Sequence, residues 1–176
     1  MEDQITVRTE LVDVDENDHH FLVELHNDPD VLRNLTDPTP ITLESHMRWW
    51  RGLNPDREVR KIFTINGQRA GFCKFYQIDK RNMSCVLGAD LHRDFRGHGY
   101  SYLMWEHMLN ECFFVMSLHR VSLTTAEYND IAQRVYRKLG FLEEGKMVDS
   151  LFRDGRFYDQ ICMYMLKDHY LQKRLP

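Results

Sequence analysis

Arg96-Gly97-His98-Gly99-Tyr100-Ser101 lies between an apolar run, Met83 to Leu91, and an apolar helical pattern, Ser101 to Leu118. The order is strand, glycine loop, helix. Gly97 and Gly99 let the backbone turn sharply and bring its N–H groups close to an anion. A helix starting at Ser101 adds unsatisfied amides and the positive end of its dipole. The segment reads as a pyrophosphate cradle, although a lone G-x-G before a helix is more often a helix cap or tight packing. Two better-known phosphate motifs do not fit it. The dinucleotide fingerprint G-x-G-x-x-G needs a third glycine where this chain has Tyr102, and no Gly-Lys-Ser/Thr follows, as a P-loop requires.

Outward from the loop the chain alternates strands and helices. Upstream, Ile5 to Val12 alternates apolar and polar residues, as a strand does. Asp18 to Asn27 has a helical stripe that Asp28-Pro29 ends or redirects, and Thr42 is a plausible N-cap for a helix to Leu53. Lys61–Ile65 and Ala70–Ile78 flank Asn66-Gly67, a strong hairpin signal. Downstream, Val121 to Ala126 is a strand and Asp130 to Leu139 a helix capped by Gly140. Phe141 to Phe152 and Phe157 to Leu166 are strands joined at Asp154-Gly155. The order predicts an α+β fold with one central sheet and about four helices. At 176 residues the chain suits one domain, 1–176.

Composition narrows the function classes. Hydrophobic residues make up 43%, charged residues 28%, and the formal net charge is -4, without a block of clustered Lys and Arg. Nucleic acid is therefore not an expected partner. No apolar run reaches the roughly 20 residues needed to span a bilayer. Met1-Glu2-Asp3-Gln4 does not open a signal peptide. Cys73, Cys85, Cys112 and Cys162 are scattered without a C-x-x-C pair, so buried free thiols in a cytoplasmic protein are expected, with no metal site.

A second motif follows the first. Asn129-Asp130-Ile131-Ala132-Gln133-Arg134-Val135-Tyr136-Arg137-Lys138-Leu139-Gly140-Phe141 puts Asn129 at a strand end and Tyr136 two helical turns on, along one face. A Tyr there suits protonation of a leaving thiolate. A packing Tyr and an N-capping Asn are the competing readings.

The pair R-G-x-G-x-[GAS] and N-x-x-A-x-x-x-Y-x-x-x-G-F resembles the GNAT superfamily of acetyl-CoA-dependent N-acetyltransferases, most clearly over Met83 to Leu166. The resemblance implies a mostly antiparallel, twisted sheet of about seven strands with a splayed parallel pair. It implies acetyl-CoA as co-substrate, with the amides of Gly97, His98, Gly99, Tyr100 and Ser101 on the pyrophosphate and Arg96 opening the motif. Backbone groups at Ala89 and Leu91 would hold the pantetheine arm and acetyl carbonyl. Asn129 would touch the arm, and Tyr136 would be the general acid. The family often forms homodimers, and the C-terminal strand is a candidate edge for pairing.

The chemistry asks for a base as well. An alkylamine with a pKa of about 10.4 is almost wholly protonated at pH 7, a penalty of roughly 4–5 kcal/mol. Asp90 and Glu127, near the ends of the two splayed strands, are the candidates, with His92 behind them. The expected acceptor is a primary amine on a small molecule, and the resemblance extends to branches acting on nucleotide-linked amino sugars, polyamines and ribosomal-protein N-termini. His46, Trp49 and Trp50 are candidate acceptor contacts, although both tryptophans also suit packing between helices. Asn34-Leu35-Thr36-Asp37-Pro38 supplies one acid, fewer than the polyamine branch tends to carry. Protein acetylation and non-catalytic acyl-CoA binding are the alternatives.

Overall fold

The computed structural model describes residues 7–174, so the extreme N-terminal reading and the first residues of the expected opening strand lie outside it. One sheet of seven strands runs in the order β1-β2-β3-β4-β5-β7-β6. The strands are β1 (Thr9–Asp13), β2 (Val59–Ile65), β3 (Gln68–Asp79), β4 (Ser84–Leu91), β5 (Arg120–Ala126), β6 (Leu142–Arg153) and β7 (Arg156–Leu166). All neighbours pair antiparallel except β4 and β5.

Six α-helices lie among the described residues, rather than four: α1 (Asp18–His26), α2 (Pro29–Asn34), α3 (Leu43–Arg51), α4 (Tyr100–Asn110), α5 (Asp130–Leu139) and α6 (Lys167–Arg174). The two extra helices are α2 and α6. Asp28-Pro29 does not only end α1. Asp28 caps α2 by accepting from the Asp30 amide, and Pro29 fills its first turn, where a missing N–H costs nothing. The expected helix to Leu118 stops at Asn110 and continues as one π-helical turn over Glu111–Val115.

Side chains alternate across the sheet, and two cores result. On one face Phe63, Cys73, Phe75 and Leu87 meet Met104, Met108 and Tyr136 from α4 and α5. On the other, Ile62 and Phe72 meet Leu22, Leu25 and Val31 from α1 and α2. The four cysteines are free thiols; three are buried and Cys162 is half-buried.

The expected role of the C-terminal strand as a pairing edge changes. β7 is interior, between β5 and β6, and β6 is the edge. β6 forms a long hairpin with β7, interrupted by register shifts near Glu143 and Met147, which twist the ladder.

Gly71 on β3 lies close beneath Met104 of α4. A Cβ there would lie 2.8 Å from the Met104 sulfur and 2.9 Å from the Asp90 carbonyl oxygen. Gly71→Ala is therefore expected to destabilise the fold by about 1–3 kcal/mol, read as a lower urea midpoint at unchanged slope. An unchanged midpoint would show that the contact relaxes freely.

Candidate active site

The loop 96–101 has the conformation its glycines predict. Gly97 and Gly99 sit at φ +82° and +81°, with open space where a Cβ would point. Gly99 is the N-cap of α4, and the first turn of α4 holds no acidic residue. Among the described residues, the Gly97, His98, Gly99, Tyr100 and Ser101 amides take no part in the turn and cap hydrogen bonds, whereas Tyr102 N–H already donates to Gly99 at 3.0 Å. Five consecutive amides at the positive end of a helix form an anion site. His98 is exposed, with its ring 6.1 Å from that of Tyr100.

Arg96 opens the loop, but its guanidinium is spent on the fold. Nε donates to the Leu91 carbonyl at 2.9 Å, Nη1 to Asp30 at 3.0 Å, and Nη2 lies 3.3 Å from Asp28. Arg93 adds a contact to Asp28 at 3.0 Å. Burial alone would raise the Asp28 pKa; the Asp30 amide and the two arginines outweigh it and hold the carboxyl below its ordinary value. Asp28 thus ties α2 to the loop.

β4 and β5 separate beside this cradle. Their parallel pairing covers Ser84↔Arg120, Cys85↔Val121 and Val86↔Ser122 and then stops, although β4 runs on to Leu91 and β5 to Ala126. β4 stays bonded to β3 through Leu91, and β5 to β7 through Ala126. His92 N–H donates to Ala70 of β3, so Ala89 and Leu91, out of phase with it, aim their backbone groups at the gap. The Leu91 carbonyl is taken by Arg96, leaving Ala89 and the Leu91 N–H for a ligand.

α5 stands across the gap. Asn129 is its N-cap: its side-chain oxygen accepts from Ala132 N–H at 3.2 Å, which leaves its amide nitrogen and the oxygen's second lone pair for an arm. Gln133 donates to the Ala126 and Glu127 carbonyls and fixes the helix to the strand end. Tyr136 is 9% exposed, edge-on to Trp105 at 4.7 Å. Burial pushes its phenol well above the ordinary range, and the nearby Asp90 and Tyr76 push the same way. The proton therefore stays on Tyr136 at neutral pH.

The two carboxylate candidates separate. Asp90 lines a cavity of about 420 Å³ formed by α1, α3, the segment 35–41 and the β3–β4 face. Lys74 donates to its Oδ2 at 2.7 Å, and among the described residues no donor engages Oδ1. Glu127 is outside that lining; it is exposed and accepts from the Asp159 amide at 3.2 Å. His92 lies between Glu24 and Asp94, each 3.6 Å away.

The acceptor candidates separate too. His46 lines the cavity and is 3% exposed, not a surface helical residue. Trp49 lines it at 45% exposure, whereas Trp50 packs with the α1–α2 core. The rim segment is held at both ends. Asn27 exchanges two 2.8 Å hydrogen bonds with Ile41, and Arg153 of β6 donates to the Leu35 and Thr36 carbonyls.

Among the residues that escape the motif reading are Phe72 and Lys74 of the lining, and His19 behind it. The period-two run Phe72-x-Lys74-x-Tyr76 is the sequence signal for the first two, which share the face of Asp90. His19 has no such signal; it meets His46 only through the packing of α1 on α3, ring nitrogens 3.0 Å apart.

Burial, then the charges of His19 and His26, lower the His46 pKa from 6.5 to about 4. The unfolded chain therefore binds the proton more readily between those values, and stability falls as pH drops below 6.5. Between pH 7 and 5 the loss attributable to His46 is about 2 kcal/mol. His46→Gln should show a smaller fall in melting temperature than the wild type over that interval, by about 4–8 °C. Parallel curves for the two proteins would refute the assignment.

Comparison with known proteins agrees with this geometry. A family model described as an acetyltransferase (GNAT) domain matches residues 8–142. The chain is 23% identical to spermidine N(1)-acetyltransferase of Vibrio cholerae over 175 residues, 98% of this chain and 99% of that one. It is 22% identical to the Escherichia coli K12 enzyme of the same name over 159 residues, 90% of this chain and 86% of that one. The crystal structure of the Vibrio cholerae enzyme in complex with CoA and spermine superposes with a TM-score of 0.87 at 22% identity, covering 93% of this chain and 98% of that one, which shows a shared fold. The family match spans most of the chain, and with the free amide cradle and parted strands behind it, the chain belongs to the GNAT family of acetyl-CoA-dependent N-acetyltransferases.

Proposed function

We propose that this enzyme transfers the acetyl group of acetyl-CoA to a primary amine on a small molecule, by direct attack in a ternary complex. The observation that carries this is the meeting of two features at the tips of β4. The parted strands and amide cradle lie along one side, and a cavity with a carboxylate, Asp90, lies on the other. A donor arm in the gap and an amine in the cavity would approach each other there.

The residues divide the work as follows. The amides of Gly97, His98, Gly99, Tyr100 and Ser101 hold the pyrophosphate, Asn129 steadies the arm, and the Leu91 and Ala89 backbone polarises the acetyl carbonyl. Asp90 draws the ammonium in through its open Oδ1 and takes one proton, so that the neutral nitrogen can bond to the carbonyl carbon. The carbon–sulfur bond breaks, Tyr136 gives its proton to the departing thiolate, and the second proton lost by the nitrogen leaves to water, from which Tyr136 is reprotonated. Arg96 supports the loop through Asp28 and Asp30 rather than touching a phosphate. Glu127 is the less favoured base, because its carboxylate caps the Asp159 amide.

Polyamines and nucleotide-linked amino sugars are the acceptor classes put forward by similarity, the first by the names of the relatives. The expected homodimer has its best surface on the β6 edge, where Leu142, Met147, Val148 and Phe152 are exposed. Sedimentation that finds only monomers at every concentration removes that surface.

Calorimetry with acetyl-CoA is expected to show one site, with Gly99→Ala weakening it at least tenfold, since an alanine at φ +81° is strained and the loop shifts to relieve it. Tyr136→Phe is expected to lower kcat by about 10²-fold or more while acetyl-CoA affinity holds. Absence of acetyl-CoA binding by the wild type would overturn the proposal, and an unchanged kcat would remove Tyr136 as the acid.

A further inference from the structure

The charges in the acceptor cavity are few and nearly balanced. Its lining holds one lysine, Lys74, and two carboxylates, Asp90 and Asp37. Lys74 is bonded to Asp90 at 2.7 Å, and both side chains are largely buried, at 21% and 18% exposure. Asp37 is exposed at the rim, where Thr39 hydrogen bonds hold its carboxyl below its ordinary pKa. His26 and His46 complete the titratable set; the His46 ring is neutral at pH 7. The rest of the wall is mainly apolar: Leu22, Leu25, Leu35, Ile41, Phe72 and Trp49.

Lys74 has a built place. Gly88 faces it across the β3–β4 ladder, and a Cβ at Gly88 would come within 3.3 Å of the Lys74 Cε. Its ammonium lies 5.8 Å from the Phe72 ring centre, so the floor of the cavity carries a fixed cation beside an aromatic face.

Each similarity-derived acceptor class meets a difficulty here. A polyamine carries cations at both ends of a thin chain. One end would find Asp90; the other would lie beside Lys74 or against leucines, where an unpaired ammonium is costly, or reach Asp37 only at the exposed rim, where solvent screens the pair. A nucleotide-linked sugar brings several phosphate charges; the lining offers no arginine and a single lysine to meet them. An extended peptide would leave backbone amides unsatisfied against the apolar wall.

We infer that the acceptor is a monoamine carried on an apolar, aromatic body; this rests on the N-acetyltransferase reading above. The ammonium binds Asp90 Oδ1, the aromatic ring fills the space between Trp49, Phe72 and the leucines, and Lys74 rejects a second cation. A cavity of about 420 Å³ suits a ring system of that size.

A thiol-release assay with acetyl-CoA, run with 2-phenylethylamine, tryptamine, spermidine, a UDP-linked amino sugar and an N-terminal peptide, tests this. The expected result is a kcat/KM for an aromatic amine at least tenfold above that for each of the other three. Trp49→Ala should lower the aromatic value about tenfold with acetyl-CoA affinity unchanged. Lys74→Met, which keeps the length and removes the charge, should raise the spermidine-to-tryptamine ratio at least tenfold. Preference for spermidine, the sugar nucleotide or the peptide overturns the inference while the acetyltransferase reading stands. Turnover of no amine, without acetyl-CoA binding, overturns both.

Discussion

The parting of β4 from β5 after Val86 and Ser122 is the constraint on which the site depends. Each strand keeps its other neighbour, so each stays straight and fully bonded on one edge. Between them a row of backbone N–H and C=O groups is left without a strand partner. Such groups need water or a ligand, because leaving them bare costs as much as a lost hydrogen bond. A long polar arm with amides of its own is a natural occupant. One face of the sheet beside the gap is packed by α4 and α5, and the other by α1 and α2.

The glycine loop works only because its surroundings hold it open. Gly97 and Gly99 allow the left-handed turns, but the direction of the loop is set by Arg96, clamped between the Leu91 carbonyl and the two acids of α2. A charged residue that looks like a phosphate ligand is here a structural strut. Asp28 is the centre of that arrangement, serving at once as helix cap and as counter-ion to two arginines. The loop and α2 therefore share an anchor point.

Electrostatics divide the two halves of the site. The cradle offers dipoles and free amides to a large anion. The cavity instead is apolar, with its one cation and its deepest carboxylate paired. His46 is held neutral by burial and by its histidine neighbours, and so belongs to the wall and not to the charge set. Similarity over nearly the full length to spermidine acetyltransferases shows the fold, while the charge pattern of the wall is read from this chain's own residues.

Sequence legibility follows the range of each interaction. Strand and helix identities, the cradle and the Asn129–Tyr136 pair were readable because they depend on local periodicity, on glycine and on fixed spacing along the chain. The short helix after Asp28 escaped because a cap and a turn ending use the same residues. Tyr136 in its buried place, Asn129 as a cap, Trp49 in the wall and Trp50 in the core could not be told apart in the sequence, since neighbours in a helix differ only in what stands opposite. The sequence by itself determined the family and the donor. Only the tertiary structure decided that Asp90 and not Glu127 lines the cavity, that Lys74 is its partner, and that Arg96 is committed to Leu91 and the acids of α2, because each of these is a contact between separate elements.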